Sequence, residues 1–152
     1  MSLHLYMPGG TPKELDSATW QHLFSAWQDQ CSPDLQGGVL VQFVDSGSMQ
    51  ELSRIHQGKD EPTDVLSFTY DPPMHGSSDE LVCGEIVVCT EVAQRNAEKL
   101  KVTLSVEYAT LFVHGLIHLA GYDHASKEDR KQFEALTHGI MESGGLTPVS
   151  LW

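Results

Sequence analysis

The sequence has no stretch of 18 or more apolar residues, so it predicts no membrane-spanning helix. Its first ten residues, MSLHLYMPGG, contain no basic segment followed by an apolar one, and we therefore expect no secretory signal. Cysteine is also scarce, because only Cys31, Cys83 and Cys89 occur and none forms a C-x-x-C pair. A sparse, odd cysteine count suits a reducing compartment better than a disulfide framework, which predicts a cytoplasmic protein.

Basic residues are few as well. Nine lysines and arginines face 21 acidic residues, which gives a net charge of −12. This balance argues against broad electrostatic binding to nucleic acid, although it leaves room for a local basic cleft or for a partner that delivers the substrate. The length of 152 residues and the 40% hydrophobic content predict one domain, residues 1–152, with a substantial core.

Hydrophobic periodicity predicts alternating strands and helices. Strands are expected at residues 3–6, 39–44, 65–70 and 81–89, and helices at 16–30, 46–57, 91–100, 104–120 and from 127 onwards. Residues 71–80 are predicted to form a polar, proline-rich loop. The helix at 104–120 is apolar nearly all round, so it is expected to be buried. The predicted fold class is α+β, a small mixed β-sheet covered by helices, with the central buried helix carrying a three-histidine metal site of zincin-like spacing.

Residues 114–124, HGLIHLAGYDH, carry three of the eight histidines. His114 and His118 are four residues apart and therefore share one face of the predicted helix. Gly121 allows the chain to turn, and the turn can bring His124 towards the same point. Packing alone does not explain three histidines on such an apolar helix, because burying polar rings without partners is costly. The spacing predicts one metal ion held by His114, His118 and His124, most simply Zn²⁺, with nickel or another first-row metal as an alternative.

Three neutral imidazoles leave one tetrahedral position open, as in catalytic zinc sites. Hydrolysis is therefore the expected reaction class. Zinc peptidases of similar spacing have a catalytic glutamate after the first histidine, whereas this chain has Gly115. A peptidase or other amide hydrolase is accordingly disfavoured. Glu85 and Glu107 are possible bases from elsewhere, but both are expected to be solvent-facing or helix-face carboxylates.

Together, three segments resemble one known family. HGLIHLAGYDH, PTDVLSF (Pro62–Phe68) and GEIVVC (Gly84–Cys89) are similar, in order and spacing, to motifs of the YbeY endoribonucleases. The resemblance implies a metal-dependent enzyme that acts on single-stranded RNA in 3′-end maturation of small-subunit rRNA and in ribosome quality control. It also implies that His114, His118 and His124 are the metal ligands. Asp123 is expected either to orient a ligand or to cap the turn or the following helix.

The chain departs from the family pattern in one place. Members of the family often have an asparagine and an arginine where this chain has Ser53 and Gln57, and the arginine is implied to be catalytic. Glutamine carries no charge, so it cannot stabilise a transition-state phosphate as arginine does. We take Arg54 and Gln57 as candidate catalytic residues, with Arg54 or Lys59 supplying part of the missing charge. The alternative is that both cations are solvated surface residues.

The sequence thus predicts a metal-dependent endoribonuclease whose partners are single-stranded rRNA and the small ribosomal subunit, with no membrane or DNA partner. Whether water or a ribose 2′-hydroxyl attacks the phosphodiester stays open. A non-catalytic, metal-containing ribosome assembly factor is the alternative, and Gln57 favours it. With few phosphate contacts, activity on free RNA is expected to be modest and salt-sensitive.

Overall fold

The computed structural model describes residues 3–6, 12–31, 33–35, 37–75 and 81–147. Four strands and five helices lie in these ranges. The strands are β1 (Leu3–Tyr6), β2 (Gly37–Val44), β3 (Val65–His75) and β4 (Leu81–Cys89). The helices are α1 (Ser17–Cys31), α2 (Ser46–Gln57), α3 (Thr90–Leu100), α4 (Leu104–Leu119) and α5 (Lys127–Ser143). The α+β prediction is confirmed.

The strands form one mixed sheet in the order β1-β2-β4-β3. Strand β2 pairs in parallel with β1 and β4, whereas β3 pairs antiparallel to β4. Gly38 pairs with Val82 and Val39 with Gly84, so Cys83 is an extra residue in β4. Gly84 directly follows this bulge, and glycine in a strand is often found beside one.

Strand β3 is longer than predicted. Residues 71–75 were expected to be part of a loop because prolines rarely continue a strand, yet they extend β3 to His75. The pairing with β4 is interrupted between Thr69 and Met74, and Pro72 and Pro73 lie in this gap, at the edge of the sheet. An edge strand tolerates residues without an N–H donor, which explains why the sequence pattern was misleading here. The rest of the predicted loop, residues 76–80, lies outside the described residues.

Helices cover both faces of the sheet. Ile86 of β4 faces α4, because its side chain lies against Gly115. The next residue, Val87, packs with Met49 of α2. Since neighbouring residues of a strand point to opposite faces, α4 and α2 lie on opposite sides of the sheet. The larger core is on the α4 side, where Trp20 and Trp27 of α1 are buried.

Within the described residues, no single helix is long and apolar enough to cross a membrane. Helices α3 and α4 meet the length and composition criteria only when they are taken together across a bend of 116°.

Candidate metal centre

Helix α4 holds the first two histidines. Thr103 caps its first turn, because the Thr103 hydroxyl accepts a hydrogen bond of 3.2 Å from the Val106 N–H. Most of the helix is buried, and its apolar side chains pack against the sheet, α1 and α5. His114 and His118 are only partly buried. The apolar contacts fix the rotation of the helix, and this rotation presents the two imidazoles together at the edge of the core.

The turn after α4 brings in the third histidine. Gly121 has a φ of 97°, which other residues rarely adopt, and the Tyr122 N–H closes the turn on the Ile117 carbonyl at 3.3 Å. The Asp123 carboxylate accepts a hydrogen bond of 2.7 Å from the His124 N–H. Asp123 therefore stabilises the turn. Capping of the turn was one of the roles predicted for it.

The three imidazoles converge. His114 Nε2 and His118 Nε2 are 3.1 Å apart. One ligand atom from each of His114, His118 and His124 lies within 4.8 Å of the others. Two nitrogens on a tetrahedral zinc ion are separated by roughly 3.3 Å, given zinc–nitrogen distances of about 2.0–2.1 Å. The cluster that the sequence predicted is present, and its spacing is suitable for one metal ion.

The protonation of the rings also suits a metal. His118 Nδ1 lies 3.1 Å from the Tyr122 carbonyl oxygen, which can only accept, so Nδ1 carries the proton and Nε2 presents a lone pair. Burial, followed by the neighbouring histidines, lowers the pKa of His114 to about 3. Burial and His124 also lower the pKa of His118. Neutral imidazole is the form that binds a metal ion.

Phe133 of α5 forms the floor of the cluster. Its ring centroid lies 4.8 Å from that of His114, 5.0 Å from that of His118 and 5.4 Å from that of His124. The side chain is fully buried. One aromatic ring from a separate helix therefore limits the motion of all three imidazoles, which favours a preorganised site.

Gly115 faces the sheet and not the cluster. A Cβ atom at this position would lie 2.8 Å from Ile86 Cγ2, too close for an ordinary contact. The Gly115 carbonyl accepts a hydrogen bond of 3.3 Å from the hydroxyl of Ser67, so the histidine segment and the PTDVLSF segment are in direct contact. A glutamate in place of Gly115 would enter the packed core, and the peptidase arrangement is not available to this chain.

The candidate catalytic residues of α2 lie on the other side of the sheet from α4. The Arg54 guanidinium forms an exposed ion pair with Glu51 at 2.5 Å. Gln57 Oε1 is 3.4 Å from the hydroxyl of the buried Ser53. The chain continues from Gln57 through residues 58–64 to the first residue of β3, beside α4. Catalytic roles for Arg54 and Gln57 therefore stay predictions. They require the RNA to pass around the β3 edge of the sheet, from the α4 side to the α2 side.

The two possible bases have different surroundings. Glu85 accepts hydrogen bonds from Gln42 at 2.6 Å and Tyr70 at 2.7 Å, on the α2 side of the sheet. Glu107 was expected to be a solvent-facing or helix-face carboxylate; it lies on α4, but it is only 3% exposed and therefore does not face solvent. A carboxylate on a helix that is otherwise apolar all round must be buried, and this signal was available in the sequence.

A small cavity adjoins the metal centre, and sequence reasoning did not identify it. Its volume is about 120 Å³, and Glu107 and His114 both contribute to its lining. Asp64, from the PTDVLSF segment, lines it as well. The cavity depends on three separate segments, so no single sequence pattern predicts it.

Comparison with known proteins agrees with the resemblance seen in the sequence. The family model described as Endoribonuclease YbeY matches residues 11–145. Endoribonuclease YbeY of Staphylococcus saprophyticus is 37% identical over 123 residues, which cover 79% of this chain and 80% of that protein. The solution structure of a Thermotoga maritima protein is similar, with a TM-score of 0.56 and 26% identity, and the match covers 93% of this chain and 90% of that one.

Proposed function

Because the chain belongs to the YbeY endoribonuclease family, we propose that it is a metal-dependent single-strand endoribonuclease that acts in 3′-end maturation of small-subunit rRNA and in ribosome quality control. The convergence of His114, His118 and His124 is the observation that carries the metal dependence. The proposed setting is the cytoplasm, with single-stranded rRNA on the small ribosomal subunit as substrate. The whole chain, residues 1–152, is proposed to be one domain.

The three histidines are proposed to hold one ion, with Zn²⁺ favoured by a set of three neutral imidazoles. A bound first-row ion supplies Lewis acidity that polarises a phosphodiester under attack. The Tyr122 carbonyl accepts from His118 Nδ1 and so leaves the Nε2 lone pair of His118 available to a metal ion. The Phe133 ring packs against the three imidazoles and limits their motion.

A matched pair of variants tests the proposal. We expect wild-type protein to contain one metal ion per chain and to cleave single-stranded RNA, and His118→Ala to lose both properties. His138→Ala is the control, because His138 lies on α5 with 45% of its side chain exposed and pairs with Glu134. Equal cleavage by wild type and His118→Ala would reveal a contaminating nuclease and would defeat the proposal. A 2′,3′-cyclic phosphate on the products would exclude direct attack by water.

The roles proposed for α2 have their own test. If Arg54 supplies positive charge to the scissile phosphate, Arg54→Ala should slow cleavage without reducing metal content. Unchanged cleavage by Arg54→Ala, in an assay where His118→Ala is inactive, would remove Arg54 from the mechanism. The same comparison with Gln57→Ala and Gln57→Arg tests the position at which the family has arginine, and a faster Gln57→Arg enzyme is expected.

Gln57 also favours a second candidate, a non-catalytic assembly factor in which the metal is structural. The neutral Gln57 side chain and the engagement of Arg54 by Glu51 leave little free positive charge on α2. Restoration of ribosome maturation by a metal-loaded variant without nuclease activity would support this candidate over the first.

A further inference from the structure

The cavity beside the metal centre has apolar walls. Val65, Leu100 and Leu111 line it, from β3, α3 and α4 respectively. Leu100 is 46% exposed and is one of the large hydrophobic residues that the described part of the chain leaves in contact with water. A volume of about 120 Å³ is close to that of an engineered cavity of about 150 Å³ that binds benzene. The space is therefore suitable for a single six-membered ring.

The remaining lining is polar. Glu107 and Thr110 of α4 are each 3% exposed, and Asp64 and Asn96 line the cavity with them. Asn96 donates one hydrogen bond to Asp64 Oδ2 at 3.2 Å and also hydrogen-bonds Glu107. Apolar walls with a few converging polar groups are typical of small-ligand sites.

The polar groups are mainly acceptors. The Thr110 hydroxyl donates its hydrogen to the Val106 carbonyl at 2.7 Å, so towards a ligand it can only accept. Asp64 Oδ1 accepts from the Val65 N–H at 2.8 Å, and each carboxylate oxygen has a second lone pair. Burial, and then the charge of Asp64, raise the pKa of Glu107 to about 7. Above this pH the Glu107 carboxylate is ionised and can only accept hydrogen bonds, so a ligand must then present donors to this surface.

The position of the cavity relates it to the reaction. Glu107, Thr110, His114 and His118 follow one another at spacings of three or four residues, so they share one face of α4. Glu107 and His114 are seven residues apart, which is about 10.5 Å along a helix. This distance is similar to the span of one nucleotide from its phosphate to the far edge of its base. A phosphate at the histidines would place its base in the cavity.

We infer that the cavity is a specificity pocket that accepts the base of a cytidine beside the scissile phosphate, with Glu107 accepting from the exocyclic amino group. The inference rests on the proposed RNA-cleaving function. Uracil would direct a carbonyl oxygen at the acceptor surface of Asp64 and Glu107 where cytosine directs its amino group. Purines also present donors, but their two fused rings exceed a cavity of this volume.

Nucleotide binding tests the pocket without reference to cleavage. At a pH of about 8, above the pKa of Glu107, we expect zinc-loaded protein to bind cytidine 5′-monophosphate at least about fivefold more tightly than uridine 5′-monophosphate in an NMR titration, with the methyl signals of Leu100 and Leu111 shifted. Glu107→Gln should reduce this preference to near equality, because an amide can rotate to pair with either base. Glu98→Gln, an exposed glutamate of α3, should retain it. Equal affinity for the two nucleotides in wild type would overturn the inference.

A variant at the mouth of the cavity keeps the test decisive if Glu107→Gln does not fold. Leu100→Ala removes most of an apolar side chain that lines the cavity. This change should weaken cytidine monophosphate binding several-fold while metal content is unchanged. Unaltered binding in Leu100→Ala would place the nucleotide elsewhere and would count against the pocket.

Cleavage of a randomised single-stranded RNA pool separates this inference from the proposed function. Sequencing of the product ends should show cytidine enriched at one position next to the cut, with the enrichment lost in Glu107→Gln. Cleavage that depends on His118 but has no such enrichment, together with equal nucleotide affinities, would remove the pocket and leave the nuclease. A preference for cytidine monophosphate without His118-dependent cleavage would remove the nuclease and leave the pocket.

Discussion

The absence of a side chain at Gly115 is explained by Ile86, its neighbour in the sheet. The contact with Ile86 allows α4 to lie close to β4, and the two carboxyl-terminal turns of α4 carry the first two histidines. The same contact leaves no volume for a side chain. The residue that looked like a missing base in the sequence therefore sets the distance between the metal-bearing helix and the sheet.

Gly115→Ala should consequently destabilise the protein, although alanine favours a helix over glycine by about 1 kcal/mol. Forcing a methyl group against Ile86 costs about 1–3 kcal/mol, so we expect a net loss of about 1 kcal/mol in the free energy of unfolding in urea. Gly47→Ala is the control, because the nearest atom to its added Cβ is 3.6 Å away, and it should be neutral or stabilising. If Gly115→Ala is more stable than the wild type, α4 and β4 can move apart without a loss of unfolding free energy.

Glu107 should make stability depend on pH. Its pKa rises from 4.5 to about 7 because of burial first and Asp64 second, so the folded state holds a proton that the unfolded state releases. Stability therefore falls as pH rises from 4.5 to 7, and there is no such penalty below pH 4.5. Relative to Glu107→Gln, we expect the wild type to lose about 3 kcal/mol of unfolding free energy across this window. Parallel stability curves for the two proteins would show that Glu107 is ionised freely in the folded state.

At the scale of helices and strands, the local sequence was sufficient to predict an element where a single residue determines its end. Asp45, the residue before the helix predicted at 46–57, caps α2 through a 2.8 Å hydrogen bond from the Ser48 N–H. The histidine spacing likewise predicted a cluster that depends on one helix and one turn. The length of β3 was not predicted, because it depends on pairing with β4. The burial of Glu107 was not predicted either, although the apolar residues around it on α4 indicated it.

Helix α5 provides a test at this scale, because it supports the segment that carries His124. Ser126 caps the helix by accepting from the Asp129 N–H at 3.0 Å, and Arg130 Nε donates to the His124 carbonyl at 3.3 Å. Ser126→Ala should cost about 1 kcal/mol of unfolding free energy and weaken metal binding, whereas Ser126→Asp keeps a capping oxygen and should change little. Equal metal affinity in the alanine and aspartate variants would show that the helix cap at residue 126 does not affect metal binding.

For the molecule as a whole, charge and architecture limit how RNA is held. The histidines and α2 lie on opposite sides of the sheet, a relation that no short motif reveals because it follows from the register of β4 with its neighbours. A strand of RNA that contacts both must pass around the β3 edge. With a net charge of −12, the protein offers it few cations on the way.

Binding to free single-stranded RNA should therefore be weak, and its sensitivity to salt should reflect only a few phosphate contacts. If Arg54 and Lys59 are the main phosphate contacts, the logarithm of the association constant should fall with the logarithm of salt concentration with a slope of about −1.4. Lys59→Gln should reduce the slope by about 0.7, as measured by fluorescence anisotropy. Submicromolar binding at physiological salt would show that a larger basic surface has been overlooked.

The prolines in β3 have a consequence for how this sheet meets other chains. Sheet edges invite strand addition, through which proteins capture extended peptides or aggregate. Pro72 and Pro73 lack N–H donors and lie where β3 departs from its pairing with β4, so a continuous ladder cannot form along this edge. The β3 edge is thereby protected against the addition of a further strand through backbone hydrogen bonds. A partner that docks at this edge must be recognised through side chains.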